Sequence, residues 1–394
     1  MRVLVAASAW FPDYAGGTER VVRATAEALA ARDHDVTVIV PRATNEPEIS
    51  IVNGVKVHRV IRRSILPLTI TDVYQMRRAI RLIPSDDFDL VLAHAAVYAV
   101  AALVARSHKP FAFVFHASAF RESRQRRSQG LQPLAWSRAF ALEPLLFAFE
   151  RLALRLAPRI LVLSAFSREL VLDIDQRAEP RVEIVGGGVD VRSFTPAHDR
   201  SALRRDLGIP EGKTVLVTAR RLVSRTGVAM LLDAFRELDT GRHDIELVII
   251  GDGELRPHLE RQRNRLALGE AVRFLGSVPD AELRNWYRAA DLFILPTIAY
   301  EGFGMVTAEA LACGTPVVAT PVGATSEILD PLDQDLMADE VSARSLVAAI
   351  ERALLRTSSA FRDDCYEYAR DRLAWDVVIG RWESALRELQ AISE

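Results

Sequence analysis

Cysteine is nearly missing from this sequence: Cys313 and Cys365 are the two among 394 residues, and no Cys-x-x-Cys occurs. A disulfide framework is thereby excluded. Long apolar runs are missing as well. Stretches such as 36–40 and 111–115 fall far short of the roughly 20 residues that a membrane-spanning helix needs. The opening Met1-Arg2-Val3-Leu4-Val5 reads as a strand, with no basic stretch leading into an apolar core and a cleavage site. A secretory signal is therefore not expected, and a cytoplasmic location is. Net charge is small, 50 Lys+Arg against 52 Asp+Glu, which argues against nucleic acid as a partner. Internal repeats and low-complexity tracts are also lacking.

What is present is ordinary globular composition, 49% hydrophobic and 26% charged. The length exceeds one ordinary core, so two domains are expected. Residues 1–192 carry 26 Lys+Arg against 20 Asp+Glu and the remainder 24 against 32, so a half near +6 joins a half near −8.

Short β-branched runs alternate with amphipathic segments. Strand-like pieces fall at 3–6, 36–40, 55–60, 90–93, 111–115, 160–163 and 182–185. Residues 19–31 carry Val22, Ala26, Leu29 and Ala30 on one helical face. The alternation restarts after 214, with strands at 214–218, 247–251, 272–275, 292–296 and 316–319 and helices at 228–238, 255–268, 281–290 and 305–312. Such alternation predicts parallel strands joined by crossover helices, buried on both faces. Residues 190–200, with Pro196, read as the linker, and 373–393 as a helix containing Trp375 and Trp382. The basic run at 121–127 (RESRQRR) and the apolar 142–156 beyond it fit an interfacial helix drawn to anionic lipid. They also fit a solvated loop followed by a core helix, the commoner fate of such charge runs.

In open α/β sheets ligands bind beyond the carboxyl ends of the strands, and five places there carry unusual residues. Gly16-Gly17, between the first strand and first helix, allow close backbone approach to an anion, or simply make a tight turn. His116 directly follows the strand 111–115, as either a satisfied structural residue or a catalytic one. Arg220, Arg221 and Arg225 crowd one strand-to-helix turn, which requires an anion or open solvent; arginine's planar fork suits a diphosphate. Glu301-Gly302-Phe303-Gly304-Met305-Val306 leads into a helix holding Glu309, pairing free helix-start amides with carboxylates that accept hydroxyl hydrogen bonds. Tight turns at Gly253 and at Ser277-Val278 could hold a nucleobase edge.

These stretches, RRLVSRTG, VIIGDGE, VRFLGSVPDAEL, YRAADLFILPT and EGFGMVTAEALACGTPVVAT, resemble the donor-binding domain of the retaining glycosyltransferases of family four, the group 1 class with the GT-B fold. They run in the family's order over roughly 214–323, and GGTER, His116, LSAFSREL and GGGVD extend the likeness over most of the chain. The resemblance implies an α/β protein of two Rossmann-like domains facing across a cleft, with a C-terminal helix crossing back to the first. The acceptor-binding domain would be 1–192 with a returning helix at about 376–394, and the donor-binding domain 193–375. Arg221, with Arg220 and Arg225, would meet the donor diphosphate. Glu309 would hold the ribose, and Glu301 with the amides of Gly302, Phe303, Gly304, Met305 and Val306 the transferred sugar and phosphate. Gly253, Ser277 and Val278 would border the base, Gly16 and Gly17 would lie against the phosphate, and His116 would face the reacting sugar.

Three departures stand out. Thr226 occupies the family's usual lysine position, Gly186-Gly187-Gly188 replace Pro-Asn-Gly, and the glycine-rich turn after Glu327 is missing. The implied activity is retaining transfer of a hexose-type sugar from a UDP- or GDP-sugar to a hydroxyl, giving an α-glycosidic bond without metal or other cofactor. The acceptor would be a carbohydrate, a lipid-linked molecule or a small molecule, with peripheral membrane contact consistent with the basic run. A nucleotide-sugar epimerase and a non-catalytic sugar-nucleotide-binding subunit are the alternatives.

Overall fold

The computed structural model describes residues 1–11, 16–42, 46–60, 70–105, 109–118, 120–121, 124, 136–238 and 244–391. They fall into two compact units, Met1–Gly188 with Trp375–Glu394, and Val189–Ala374.

The first unit is built on β1 (Arg2–Ala6), β2 (Asp35–Pro41), β3 (Ile49–Val52), β4 (Val55–Val60), β5 (Leu90–His94), β6 (Phe111–Phe115), β7 (Arg159–Val162) and β8 (Val182–Ile184). Their order in the sheet is β3-β4-β2-β1-β5-β6-β7-β8. Every pairing is parallel except β3 with β4. Around it lie α1 (Gly17–Ala30), α2 (Ile70–Leu82), α3 (Ala96–Val104), α4 (Trp136–Leu156) and α5 (Ala165–Ile174). Strands β5 (LVLAH) and β6 (FAFVF) are buried along their whole length, which is why they read as continuous apolar runs rather than as an alternation.

The second unit holds α6 (Arg200–Asp206), β9 (Thr214–Ala219), α7 (Val228–Glu237), β10 (Ile245–Ile250), α8 (Arg256–Arg265), β11 (Val272–Gly276), α9 (Asp280–Ala289), β12 (Leu292–Leu295), α10 (Met305–Ala312), β13 (Val317–Ala319), α11 (Thr325–Leu329), α12 (Ala343–Leu354) and α13 (Ser359–Tyr368). Its sheet is parallel throughout, in the order β11-β10-β9-β12-β13.

The last helix, α14 (Trp375–Ala391), buries Trp375, Val378, Ile379, Trp382, Ala385, Leu386 and Leu389 on one face. It packs on the first unit. The Trp382 indole N–H donates to the Gly186 carbonyl at 3.0 Å, and Glu383 pairs with Arg32 at 2.6 Å and His34 at 2.7 Å. Of the three glycines at 186–188, Gly188 has a steric reason here: a Cβ on it would lie 2.8 Å from the Trp375 ring.

Strand β3 went unread because Ile49 and Ile51 face solvent, 51% and 76% exposed, so no buried pattern marks it. Its signal was Asn53-Gly54, whose φ values of 49° and 83° make the left-handed two-residue turn that joins β3 to β4. Residues 190–200 are not a free linker: Phe194 is buried beside the Tyr287 ring, and Arg288 Nε donates to the Thr195 carbonyl at 2.7 Å. Of the basic run, residues 122–123 and 125–127 lie outside the described residues, and Arg121 pairs with Asp173 at 3.3 Å. No helix among the described residues is long and apolar enough to cross a membrane.

Candidate functional site

In the second sheet the connections leave β9 and β12 in opposite directions, β9 leading to β10 and β12 to β13. That divergence opens a crevice at the carboxyl ends of the two strands, the general ligand position of such sheets. The turn after β9 brings in Arg220, Arg221 and Arg225. The turn after β12 brings in Thr297 and Glu301.

The two turns are locked together. Arg220 donates through Nη2 to Glu301 Oε2 at 2.5 Å and through Nη1 to the Thr297 hydroxyl, which in turn donates to Glu301 Oε2 at 3.0 Å. Side-chain exposure is 6% for Arg220 and 12% for Glu301, so this is an ion pair largely withdrawn from water. Burial alone would raise the Glu301 carboxyl. The charge and hydrogen bond of Arg220, with Arg225 and the Thr297 hydroxyl, outweigh it and hold Glu301 below the ordinary glutamate value. Arg225 braces the same loop. Its carbonyl accepts from the Ile298 amide at 2.9 Å, and its guanidinium donates to the Tyr300 carbonyl at 3.2 Å.

Arg221 does not join this cluster; its side chain is exposed. Thr226 is buried, and its hydroxyl faces the carbonyls of Arg221 at 2.9 Å and Val223 at 2.6 Å. At the usual lysine position this chain thus has a residue that closes the turn instead of reaching out of it.

Helix α10 begins at Gly304, whose φ of 86° lies in the left-handed region that glycine adopts without strain. The amides of Met305 and Val306 occupy the first turn, where a helix offers no carbonyl partner and its dipole favours anions. Phe303 is buried beneath this turn and Gly302 half-buried. Five residues into α10, Glu309 is 2% exposed and accepts from the Tyr287 hydroxyl at 3.1 Å. Tyr287 was not singled out in the sequence, although it lies within the YRAADLFILPT stretch. Gly253 has a packing reason to be glycine, since a Cβ there would lie 2.4 Å from the Leu222 carbonyl in the arginine turn. Ser277 is exposed and Val278 half-buried, in the turn after β11.

The first unit supplies the other candidates. Its sheet diverges between β1 and β5. Gly16 caps α1 in extended conformation, and a Cβ on Gly17 would meet nothing within 4 Å among the described residues. Tyr14 and Ala15 lie outside the described residues. His116 follows β6, half-buried, with Nε2 2.9 Å from Nδ1 of His94, the last residue of β5. The two rings stack at 5.1 Å, and Trp382 lies parallel to His94 at 6.5 Å. Burial pushes His116 down to about 4 and His94 well below the ordinary histidine value, so both imidazoles are neutral at pH 7. Reading the sequence missed His94, although it ends a strand just as His116 follows one.

Residues 199–372 match the family pattern described as glycosyl transferases group 1, and residues 15–193 match glycosyltransferase family 4. The chain is 26% identical over 395 residues to an uncharacterized glycosyltransferase of Methanocaldococcus jannaschii, covering 96% of this chain and 97% of that one. It is 30% identical over 357 residues to the phosphatidyl-myo-inositol mannosyltransferase of Mycobacterium tuberculosis, covering 87% and 86%. Among solved structures, the sucrose-phosphate synthase of Thermosynechococcus elongatus superimposes with a TM-score of 0.82 at 20% identity, covering all of both chains. The fold is therefore GT-B, and the chain belongs to the group 1 glycosyltransferases, enzymes that use nucleotide sugars.

Proposed function

We propose that this enzyme transfers a hexose from a UDP- or GDP-sugar to a hydroxyl acceptor with retention, forming an α-glycosidic bond without a metal ion. The observation that carries the reading is the buried Arg220–Thr297–Glu301 cluster beside the start of α10, at the divergence of β9 and β12. It sets fixed positive charge, free helix amides and an ionised carboxylate within two adjoining turns. The second unit, Val189–Ala374, which nearly coincides with the domain read as 193–375, would take the donor. Residues 1–192 with the helix at about 376–394 would take the acceptor.

Glu309, oriented by Tyr287, would accept from the ribose hydroxyls. Glu301, held ionised, accepts hydrogen bonds from the sugar and does not supply a proton. The exposed Arg221, the braced Arg225 and the first-turn amides of α10 would neutralise the departing diphosphate. Gly16 and Gly17 would approach the phosphate, and His116 would face the transferred sugar. The C–O bond to phosphate breaks as the acceptor oxygen attacks the same face, and the acceptor proton passes to the leaving phosphate oxygen. The acceptor class is a carbohydrate, a lipid-linked molecule or a small molecule. The name of the mycobacterial relative favours the lipid-linked one, met at the inner face of the membrane.

One observation favours a second reading, a non-catalytic sugar-nucleotide-binding subunit: Thr226 spends its hydroxyl inside the turn where the family has lysine. The experiment that separates the two is thermal stabilisation of the protein against a panel of nucleoside diphosphates and their sugars in chelator. It is followed by NMR of the anomeric proton of any product. Binding that favours one base, with an α-configured product, is expected. A β-configured product refutes retention, and binding without turnover across acceptors establishes the second reading.

A further inference from the structure

His94 is 0% exposed, and its Nδ1 meets Nε2 of His116 at 2.9 Å. Its other nitrogen, Nε2, is buried with no hydrogen-bond partner among the described residues. The neighbouring Trp382 N–H is already directed at the Gly186 carbonyl. Between two neutral imidazoles a single proton bridges the 2.9 Å contact, and it has two placements. If His116 donates, His94 must carry its own proton on Nε2, as a buried N–H with nothing among the described residues to receive it. If His94 donates, its bare Nε2 is left as an unmatched acceptor. As with backbone groups, an orphaned N–H is the rarer occupant of a protein interior. The second placement is favoured, and it fixes the proton of His116 on Nδ1.

The backbone around His94 is held in place. Ala95 has φ 101° and ψ 148°, a conformation that only glycine reaches readily, and such outliers persist where the surrounding structure over-determines them. Strand β5 pairs on both sides, with β1 and β6.

We propose that His94 is a positioning residue that holds His116 in the Nδ1–H tautomer, so that the nitrogen not engaged by His94 is a hydrogen-bond donor. This rests on the reading of His116 as facing the transferred sugar. It makes His116 a donor to a sugar oxygen and not the base for the acceptor hydroxyl, because one nitrogen is protonated and the other accepts from His94. The depressed basicity of both rings keeps the pair neutral through the physiological range.

The test is two-bond proton–nitrogen correlation NMR of the full chain with 15N-labelled histidine at pH 7, the His116 signals being assigned with a His116→Gln variant. Wild type is expected to show His116 protonated at Nδ1. His94→Asn, whose amide nitrogen can donate to the same Nε2, is expected to keep that tautomer. His94→Phe, which retains a ring beside Trp382 but has no donor, is expected to move the proton to Nε2. A wild-type His116 protonated at Nε2 overturns the proposal whether or not the variants fold, as does an unchanged tautomer in a folded His94→Phe. Near-ultraviolet circular dichroism and stabilisation by nucleoside diphosphate report folding. With an acceptor in hand, kcat should fall on the order of tenfold in His94→Phe and recover in His94→Asn, with donor KM unchanged. Should the tautomer move as stated while kcat holds, the positioning by His94 stands and the role given to His116 falls.

Discussion

At the scale of single residues, two neighbouring arginines behave oppositely. Arg220 is buried against Glu301, whereas Arg221 is exposed. Removing one partner of a buried ion pair strands the other charge, so Arg220→Ala should cost about 3–5 kcal/mol of stability. Arg221→Ala should change stability by less than about 0.5 kcal/mol. If Arg221 meets the diphosphate, the same change should lower kcat/KM by about 1.5–3 kcal/mol per lost charge-assisted bond. Urea unfolding and kinetics on both variants check the pair; equal stability losses would remove the distinction. Tyr287→Phe deletes the donor to Glu309 and should cost about 0.5–1.5 kcal/mol while raising donor KM more than acceptor KM. The sequence made the crowding of charge visible. It could not tell which arginine turns inward, because adjacent residues at a turn point in different directions and the partners lie 77 and 81 positions away.

At the scale of elements, the turns are shaped by glycines pressed against backbone. A Cβ on Gly253 would lie 2.4 Å from the Leu222 carbonyl, so Gly253→Ala should displace the arginine turn. Loss of nucleotide affinity would follow without any direct ligand contact, and titration calorimetry would show a higher Kd for every nucleoside diphosphate alike. A base-selective change would instead place Gly253 at the nucleobase. Gly304→Ala forces φ 86° on an L-residue, which costs roughly 1–2 kcal/mol and tilts the start of α10. The parallel strands were legible because burial on both faces makes short apolar runs bounded by turn residues; β3 is the antiparallel one. It was not legible, since its isoleucines face solvent and only Asn53-Gly54 announced it.

At the scale of the whole molecule, residues far apart in sequence share charge. Glu383 on α14 meets Arg32 and His34, and these partners outweigh the upward push of burial to bring it from 4.5 to about 2. A carboxyl whose folded pKa is depressed contributes stability above its unfolded value and loses it as pH falls toward the folded one. Glu383→Gln should therefore destabilise the protein by roughly 1 kcal/mol above pH 5, after solvent screening. The difference should shrink between about pH 4.5 and pH 2. Parallel unfolding curves for mutant and wild type across that window would contradict the assignment. The sequence by itself determined the two α/β units, the places where strands end in glycine, arginine, glutamate or histidine, and the family, because these depend on local periodicity and short motifs. Tertiary structure alone decided that Arg220 rather than Arg221 holds Glu301, that Tyr287 orients Glu309, that Thr226 closes its turn, and that His94 meets His116. The Arg220–Glu301 and His94–His116 contacts join the ends of separate strands and the Tyr287–Glu309 contact joins two helices, and what brings such elements together is their order in the sheet, which no local pattern encodes. Thr226 closes its own turn, and only the folded geometry shows which way its hydroxyl points.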